Sequence, residues 1–312
     1  MRKMIGQPDK IPLSHSTLRD LILWGEQQLE SHQAYFGHGT DNALDEAAWL
    51  ISHAIGLPVD FTDDELEKLV NEQDINAAQA CIKQRTKSKL PAAYLTHEAW
   101  FAGYPFYVDE RVLVPRSPMA ELILKHFHPW VDENKIDRAL DLCTGSGCIG
   151  IATALTLPKV QVDCTDVSQE ALDVAKINVE KHHLDDRVQI VQSDLFSSVK
   201  SRKYDLIISN PPYVDAEDMA ALPEEYRHEP QLGLAAGEDG LKLIIPVLQQ
   251  ASAHLNPGGA IIVEVGNSEA ALAEKFPQLP FTWIEFEYGG HGVFLLYKEE
   301  LDAAAAILKN IN

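Results

Sequence analysis

Asp141-Leu142-Cys143-Thr144-Gly145-Ser146-Gly147-Cys148-Ile149-Gly150 decides how this chain folds. The residues before the glycines, Arg138–Cys143, read as a strand, and those after them open a helix. Gly145, Gly147 and Gly150 satisfy the spacing G-x-G-x-x-G, the mark of a strand-to-helix turn whose backbone comes close to a ligand. From this turn toward the C-terminus, helix and strand alternate. The further candidate strands are Val160–Thr165, Val188–Gln192, Leu206–Ser209, Ala260–Val265, Phe281–Phe286 and Val293–Tyr297, with helical stretches such as Ser168–Lys181 and Leu241–Leu255 between the earlier ones. Alternation of this kind predicts an α/β fold, a doubly wound, mostly parallel sheet of seven strands. Glu287-Tyr288-Gly289-Gly290-His291-Gly292 is too short to hold a crossover helix, so the last strand is expected to run antiparallel.

Toward the N-terminus the pattern changes. Thr17–His32, Asn42–Ile55 and Asp63–Lys87 repeat their apolar residues at three and four and read as amphipathic helices, begun at Ser16 or Thr17, at Asp41 and at Thr62-Asp63-Asp64-Glu65. Residues 96–117 are aromatic and β-branched, with Asp109-Glu110-Arg111 between Trp100–Val108 and Val112–Val114, and predict a hairpin connector. The expected organisation is a helical domain over 1–95 that recognises substrate, the connector over 96–117, and a catalytic domain over 118–312.

The glycine loop alone admits a dinucleotide. Asp141 argues against one, because a carboxylate at the strand end repels a pyrophosphate and welcomes a cationic amino-acid group. Acids also end the next two strands: Asp166 in Cys164-Thr165-Asp166-Val167, and Asp194 in Gln192-Ser193-Asp194-Leu195-Phe196. Asp166 can accept both hydroxyls of a ribose, and Asp194 can accept from the adenine amine. Ligands of such sheets bind at the carboxyl ends of the strands, where all three acids fall. Adenosine joined to a charged amino acid without phosphate is S-adenosylmethionine, the expected cofactor. Taken singly, each Asp is equally a helix cap, Asp166 beside Ser168 above all.

The fourth strand runs into Asn210-Pro211-Pro212-Tyr213. Two prolines fix the backbone and remove two N–H donors, so the strand cannot continue. The corner offers an amide, carbonyls with no competing N–H partners and an aromatic face. That set suits the gripping of a planar –NH2 group, with the Asn210 side-chain oxygen and the Pro211 carbonyl expected to accept its two hydrogens and Tyr213 to pack on its plane; taken alone, the same four residues read as a proline-rich turn.

Composition narrows the partners. The 312 residues carry a formal net charge of −21, with 46% hydrophobic and 23% charged residues. Nucleic-acid binding draws on Lys and Arg against phosphates, and the densest basic run, Lys83–Lys89, is short and ends a helix. A basic protein is the better partner for such a surface. Cys81, Cys143, Cys148 and Cys164 form no CxxC pair and read as reduced core residues of a cytoplasmic protein. The scattered histidines give no metal-ligand spacing. Residues 1–8 have no apolar segment of a signal peptide, and no stretch has the length of a membrane span.

With these motifs in place the chain resembles the protein glutamine methyltransferases, which methylate a Gln side-chain amide in GGQ-containing proteins. The resemblance runs through DLCTGSG, TDVS, SDLF, NPPY, Glu229-Pro230, Gly237-Glu238-Asp239-Gly240-Leu241 and the Gly-Gly-His-Gly ending. It implies a class I S-adenosylmethionine-dependent methyltransferase domain. Cofactor contacts would come from Asp141, Leu142, Cys143, Thr144, Gly145, Ser146, Gly147, Asp166, Val167, Asp194, Leu195 and Asn210, with catalysis at Asn210, Pro211, Pro212 and Tyr213. Arg116 either reaches the methionine carboxylate or braces the domain junction; Phe106 and Tyr107 either cover the cofactor or pack in the core. The release-factor branch carries PRP followed by acids, and DLGTGSG. Val114-Pro115-Arg116-Ser117-Pro118-Met119 and Cys143 instead resemble the branch that modifies large-subunit ribosomal protein L-three. The implied partner is that basic protein, met during ribosome assembly, with neither DNA nor membrane expected. Alternatives are the GGQ glutamine of release factors, the exocyclic amine of adenine, and a non-catalytic binding module on the same fold.

Overall fold

The computed structural model describes residues 16–58 and 61–309, so the reading of residues 1–8 lies outside the described residues. The chain forms two units: residues up to 98 together with 223–228, and residues 99–222 together with the chain from 229 onward.

The first unit is helical: α1 (Leu18–Ser31), α2 (Ala43–Ile55), α3 (Asp63–Leu66), α4 (Glu72–Ser88) and α5 (Ala92–Thr96). Thr17 begins α1 with a capping box to Asp20, and Asn42 begins α2 by accepting from the Asp45 N–H. Leu21, Leu29, Leu50, Ile51, Ile75 and Ala78 make its core. The helix expected unbroken over 63–87 is two. Asn71 caps α4 through the Asp74 N–H, and the Val70 N–H donates to the Ser16 carbonyl, so the chain is extended where a helix was expected to continue. Arg85, part of the basic run, is fully buried: its Nε donates to Glu46 at 2.8 Å, and its terminal nitrogens donate to Glu225 at 3.2 Å and to the Tyr35 carbonyl at 2.9 Å.

The second unit opens with an antiparallel hairpin, β1 (Ala99–Phe101) and β2 (Tyr104–Phe106). Its turn is Ala102-Gly103, both at positive φ, and not Asp109-Glu110-Arg111. Val112 and Val114 are buried without joining a strand; the Val114 N–H donates to the Glu229 carboxylate at 3.0 Å. After α6 (Met119–Leu124) come β3 (Arg138–Leu142), α7 (Cys148–Thr156), β4 (Gln161–Asp166), α8 (Gln169–Lys181), β5 (Val188–Gln192) and β6 (Tyr204–Ser209). The remainder is α9 (Ala216–Ala221), α10 (Ile244–His254), β7 (Leu255–Glu264), α11 (Glu269–Lys275), β8 (Thr282–Trp283), β9 (Val293–Tyr297), α12 (Lys298–Ala303) and α13 (Ala305–Lys309).

Among the described residues seven strands form one sheet in the order β5-β4-β3-β6-β7-β9-β8. The first five in that order are mutually parallel, and β9 runs antiparallel to both its neighbours, as the short preceding loop requires. The strand expected over 281–286 is paired only at Thr282 and Trp283, on the sheet edge just after Pro280, which has no N–H to give. Alternate residues pack on opposite faces. Ala139, Val162, Leu206 and Ile262 meet Met119, Ile149 and Ile151 on one; Leu140, Leu142, Ile207, Ile261 and Val263 meet Ile244, Val247, Leu248 and Leu272 on the other. A parallel sheet covered on both faces accounts for the near-continuous apolar strands. No helix among the described residues is long and apolar enough to cross a membrane.

Candidate active site

The chain leaves β3 to build β4 and β5 on one side, then returns to place β6 on the other. Such a reversal opens a crevice at the carboxyl ends of the two central strands. Leu142 pairs with Ser209 there, and the Ser209 hydroxyl donates to the Leu142 carbonyl at 2.7 Å. One residue further along, Cys143 enters the glycine loop and Asn210 enters the proline corner. Ser209 also pairs with Val263, so Glu264 is the neighbour of Asn210 on the β7 side. The two motifs are therefore brought together by strand register.

The loop is rigid before any ligand is considered. Asp141 is buried; one of its oxygens accepts from the Thr144 hydroxyl and, at 2.8 Å, from the Gly150 N–H. Cys143 lies at φ +63, a region that favours glycine. Gly145 lies at φ +56, where a Cβ would meet open space, and its N–H donates to Asp166 at 3.0 Å. Gly150 answers a different need, since a Cβ there would sit 3.0 Å from Asp141 Oδ2 and collide with the Cys164 sulfur. Asn178 on α8, fully buried, donates to the carbonyls of Ser146 and Tyr107 and accepts from the Tyr107 N–H. Asp166 also accepts from the Ser168 N–H at 2.9 Å, which leaves lone pairs on both of its oxygens. Val167 and Asp194 are exposed and Leu195 is half-buried. Phe106 is fully buried and packs in the core.

Electrostatics set Asp141 apart. Burial pushes its carboxyl up to about 6, the charge of Asp166 acts in the same direction, and the bonds from Thr144 and Gly150 oppose them. Its second oxygen is buried with no hydrogen-bond partner. An orphaned buried acceptor is costly, and an ammonium group is the partner that would satisfy it. The residues thus fit S-adenosylmethionine: Asp141 for a cationic amino-acid end, the open backbone of Gly145 for close approach, and the free lone pairs of Asp166 for hydroxyl donors.

In the corner, Pro211 and Pro212 are buried, while Asn210 and Tyr213 are half-buried. Tyr213 is held at three points. Its hydroxyl donates to Glu264 at 2.9 Å, its carbonyl accepts from the Ser268 hydroxyl at 2.9 Å, and its ring lies so close to Gly266 that a Cβ there would sit 2.5 Å away. The Ser117 hydroxyl donates to the other oxygen of Glu264 at 2.5 Å. Arg116 is gripped by Glu229, with its two terminal nitrogens at 2.6 and 2.8 Å from the two carboxylate oxygens.

Glu264, Ser117 and Asn178 were not foreseen as parts of the site. Glu264 carried a usable signal: an acid at the carboxyl end of an apolar strand, Ala260-Ile261-Ile262-Val263-Glu264, is the pattern that marked Asp141. Asn178 carried a weaker one, a polar residue at a core position of an amphipathic helix.

Residues 119–224 match the family described as "Methyltransferase small domain". A protein of Neisseria gonorrhoeae named ribosomal protein uL3 glutamine methyltransferase is 46% identical over 287 residues, covering 92% of this chain and 96% of that protein. Its namesake from Neisseria meningitidis serogroup B is also 46% identical over 287 residues, covering 92% and 94%. A looser likeness is to the crystal structure of a methyltransferase from Pyrococcus furiosus, at 23% identity and a TM-score of 0.45 over 62% of this chain and 88% of that one. With nearly half of its residues shared along almost its whole length, the chain belongs to the ribosomal protein uL3 glutamine methyltransferase family.

Proposed function

We infer that this protein transfers a methyl group from S-adenosylmethionine to the side-chain amide nitrogen of a glutamine in ribosomal protein uL3. The observation that carries the reading is the register placing Asn210 beside the glycine loop at the switch point of the sheet, in a chain 46% identical to proteins named for that reaction. S-adenosylmethionine, the cofactor, supplies an electrophilic methyl group on a sulfonium.

The chain's own residues have to hold a poor nucleophile. An amide nitrogen shares its lone pair with the carbonyl, so orientation is the main service the protein can render. The Asn210 side-chain oxygen and the Pro211 carbonyl accept the two amide hydrogens and stabilise positive charge gathering on nitrogen; once the N–C bond has formed, one of those hydrogens leaves as a proton to water and the amide is neutral again. Tyr213 lies against the amide plane, and Pro212 keeps the corner stiff. Asp141, the 142–147 loop, Asp166, Val167, Asp194 and Leu195 form the cofactor cradle. Arg116, engaged by Glu229, braces residues 114–116.

Residues 1–95 recognise the protein substrate, and the acidic surface favours a basic one met before it is covered by RNA, in the cytoplasm during ribosome assembly. The test offers labelled S-adenosylmethionine with free uL3, intact ribosomes and a release factor, each with a Gln→Ala control. Label on free uL3 alone, lost in its control, is the expected result. Label only on the release factor overturns the partner, and label on none overturns the reaction.

A further inference from the structure

We propose that Glu264 is a positioning residue for methyl transfer: clamped by Ser117, it holds the Tyr213 hydroxyl and so sets the plane of the ring against which the substrate amide lies. The proposal rests on the reading of the Asn-Pro-Pro-Tyr corner given above and extends it to a residue outside that motif.

Three observations carry it. Glu264 ends β7 next in register to Asn210, so it belongs to the floor of the same crevice. Each of its oxygens takes one hydroxyl, Tyr213 at 2.9 Å and Ser117 at 2.5 Å, which leaves the carboxylate no freedom to turn. Two residues on, Gly266 at φ +46 removes any side chain from beneath the Tyr213 ring. The end of this strand thus fixes both the edge and the face of one aromatic residue. Nothing about stability calls for an acid here. Glu264 is 5% exposed and, among the described residues, makes no ion pair, while burial holds its carboxyl above the usual range. Its hydrogen-bond partners are both hydroxyls, and the charges of Arg116 and His291 offset only part of the burial, so the carboxylate costs stability that an apolar side chain would not. What the carboxylate supplies is a strong, directional acceptor for a phenol, since bonds to a charged acceptor are shorter and stiffer than neutral ones. Ring placement matters because a misplacement of about 1 Å at the reacting group can cost roughly 10²-fold in rate.

The test compares Glu264→Gln, Tyr213→Phe and the double variant in the full chain. Turnover on uL3 is read alongside cofactor affinity by calorimetry and the ¹⁹F spectrum of protein labelled with 3-fluorotyrosine. The Tyr213 resonance is the one lost in Tyr213→Phe. We expect Glu264→Gln to lower kcat by roughly 10- to 10²-fold, with cofactor affinity nearly unchanged and the Tyr213 resonance shifted or split. The double variant should be no slower than the slower single one, because both remove the same contact. Wild-type kcat in Glu264→Gln, an unmoved Tyr213 resonance, or losses that multiply in the double variant would each overturn the proposal. Should Glu264→Gln fail to fold, Ser117→Ala takes its place in the resonance measurement. Tyr213→Phe keeps the ring and loses only the hydroxyl, so full kcat there overturns the proposal as well. A wild-type enzyme that leaves uL3 unlabelled, while the resonance still moves in Glu264→Gln, removes the substrate assignment and leaves the positioning intact.

Discussion

In the cofactor cradle proposed above, Asp141 would couple cofactor binding to pH. With its carboxyl raised from 3.8 to about 6 by burial, the folded protein binds this proton more tightly than the unfolded chain. Its contribution to stability is therefore full below pH 3.8 and is lost as the pH rises through 6, a change on the order of 3 kcal/mol for a shift of this size. A cationic ligand reverses the balance, because only the ionised form attracts it. Affinity for S-adenosylmethionine should then rise about tenfold between pH 5 and pH 7, following the ionised fraction of a group that titrates near 6. Calorimetry across that range checks this, and Asp141→Asn should bind weakly with a flat profile; a pH-dependent Asn variant would move the effect to another group. Asn210 predicts the complementary behaviour. Asn210→Ala should keep cofactor affinity nearly intact while turnover falls by roughly 10²-fold or more, the scale of losing one well-placed polar partner of the transition state. Unchanged turnover would remove the corner from the mechanism.

At the scale of elements, α7 packs on β3 and β4 with no room to spare. A Cβ on Gly150 would meet Cys164 and Asp141, which sit in core strands and cannot yield. Gly150→Ala should cost about 1–3 kcal/mol by overpacking and weaken cofactor binding, since its N–H also orients Asp141. Gly145→Ala meets open space in the unliganded protein, so its cost in stability is only the strain of φ +56, about 1–2 kcal/mol, although its methyl group would stand where the backbone is to approach the cofactor. Urea unfolding that ranks Gly145→Ala as the milder change in stability would support this; the reverse order would not. The central strands could be read from sequence because burial on both faces leaves apolar runs such as Leu206–Ile208, and the last strand's direction followed from loop length alone. Local competition hid the rest. Asn71 caps a new helix inside what reads as one, and Gly103 at φ +80 turns the hairpin six residues before the more conspicuous Asp109-Glu110-Arg111. That polar trio closes on itself instead, with Asp109 accepting from the Arg111 side chain at 2.6 Å. In the site, the residues legible in advance were those whose type is odd for their position, such as an acid ending an apolar strand or paired prolines. Ser117 and Asn178 act through distant partners, Glu264 and Tyr107, and spacing along the chain holds no trace of such pairs.

For the molecule as a whole, the decisive quantity is charge. A net −21 over 312 residues does nothing for the core, and its consequence lies in encounter. On the function proposed above, a field of that sign would draw a basic protein toward the enzyme and repel RNA, and so would favour free uL3 over uL3 buried in a ribosome. Surface charges more than a Debye length apart are screened, and that length falls from about 10 Å at 0.1 M salt to about 3 Å at 1 M. Raising ionic strength from 0.05 to 0.5 M should therefore lower kcat/KM for intact uL3 by about tenfold or more. The loss should appear in KM, with kcat and cofactor affinity little changed, because the reacting groups are already in contact once the complex has formed. A short neutral peptide bearing the target glutamine carries no such charge and should show almost no salt dependence. If salt leaves the intact protein's kcat/KM unmoved, the acidic surface has no steering role and recognition rests on shape. If kcat falls in parallel for protein and peptide, salt is acting on the crevice between β3 and β6 rather than on the approach to it.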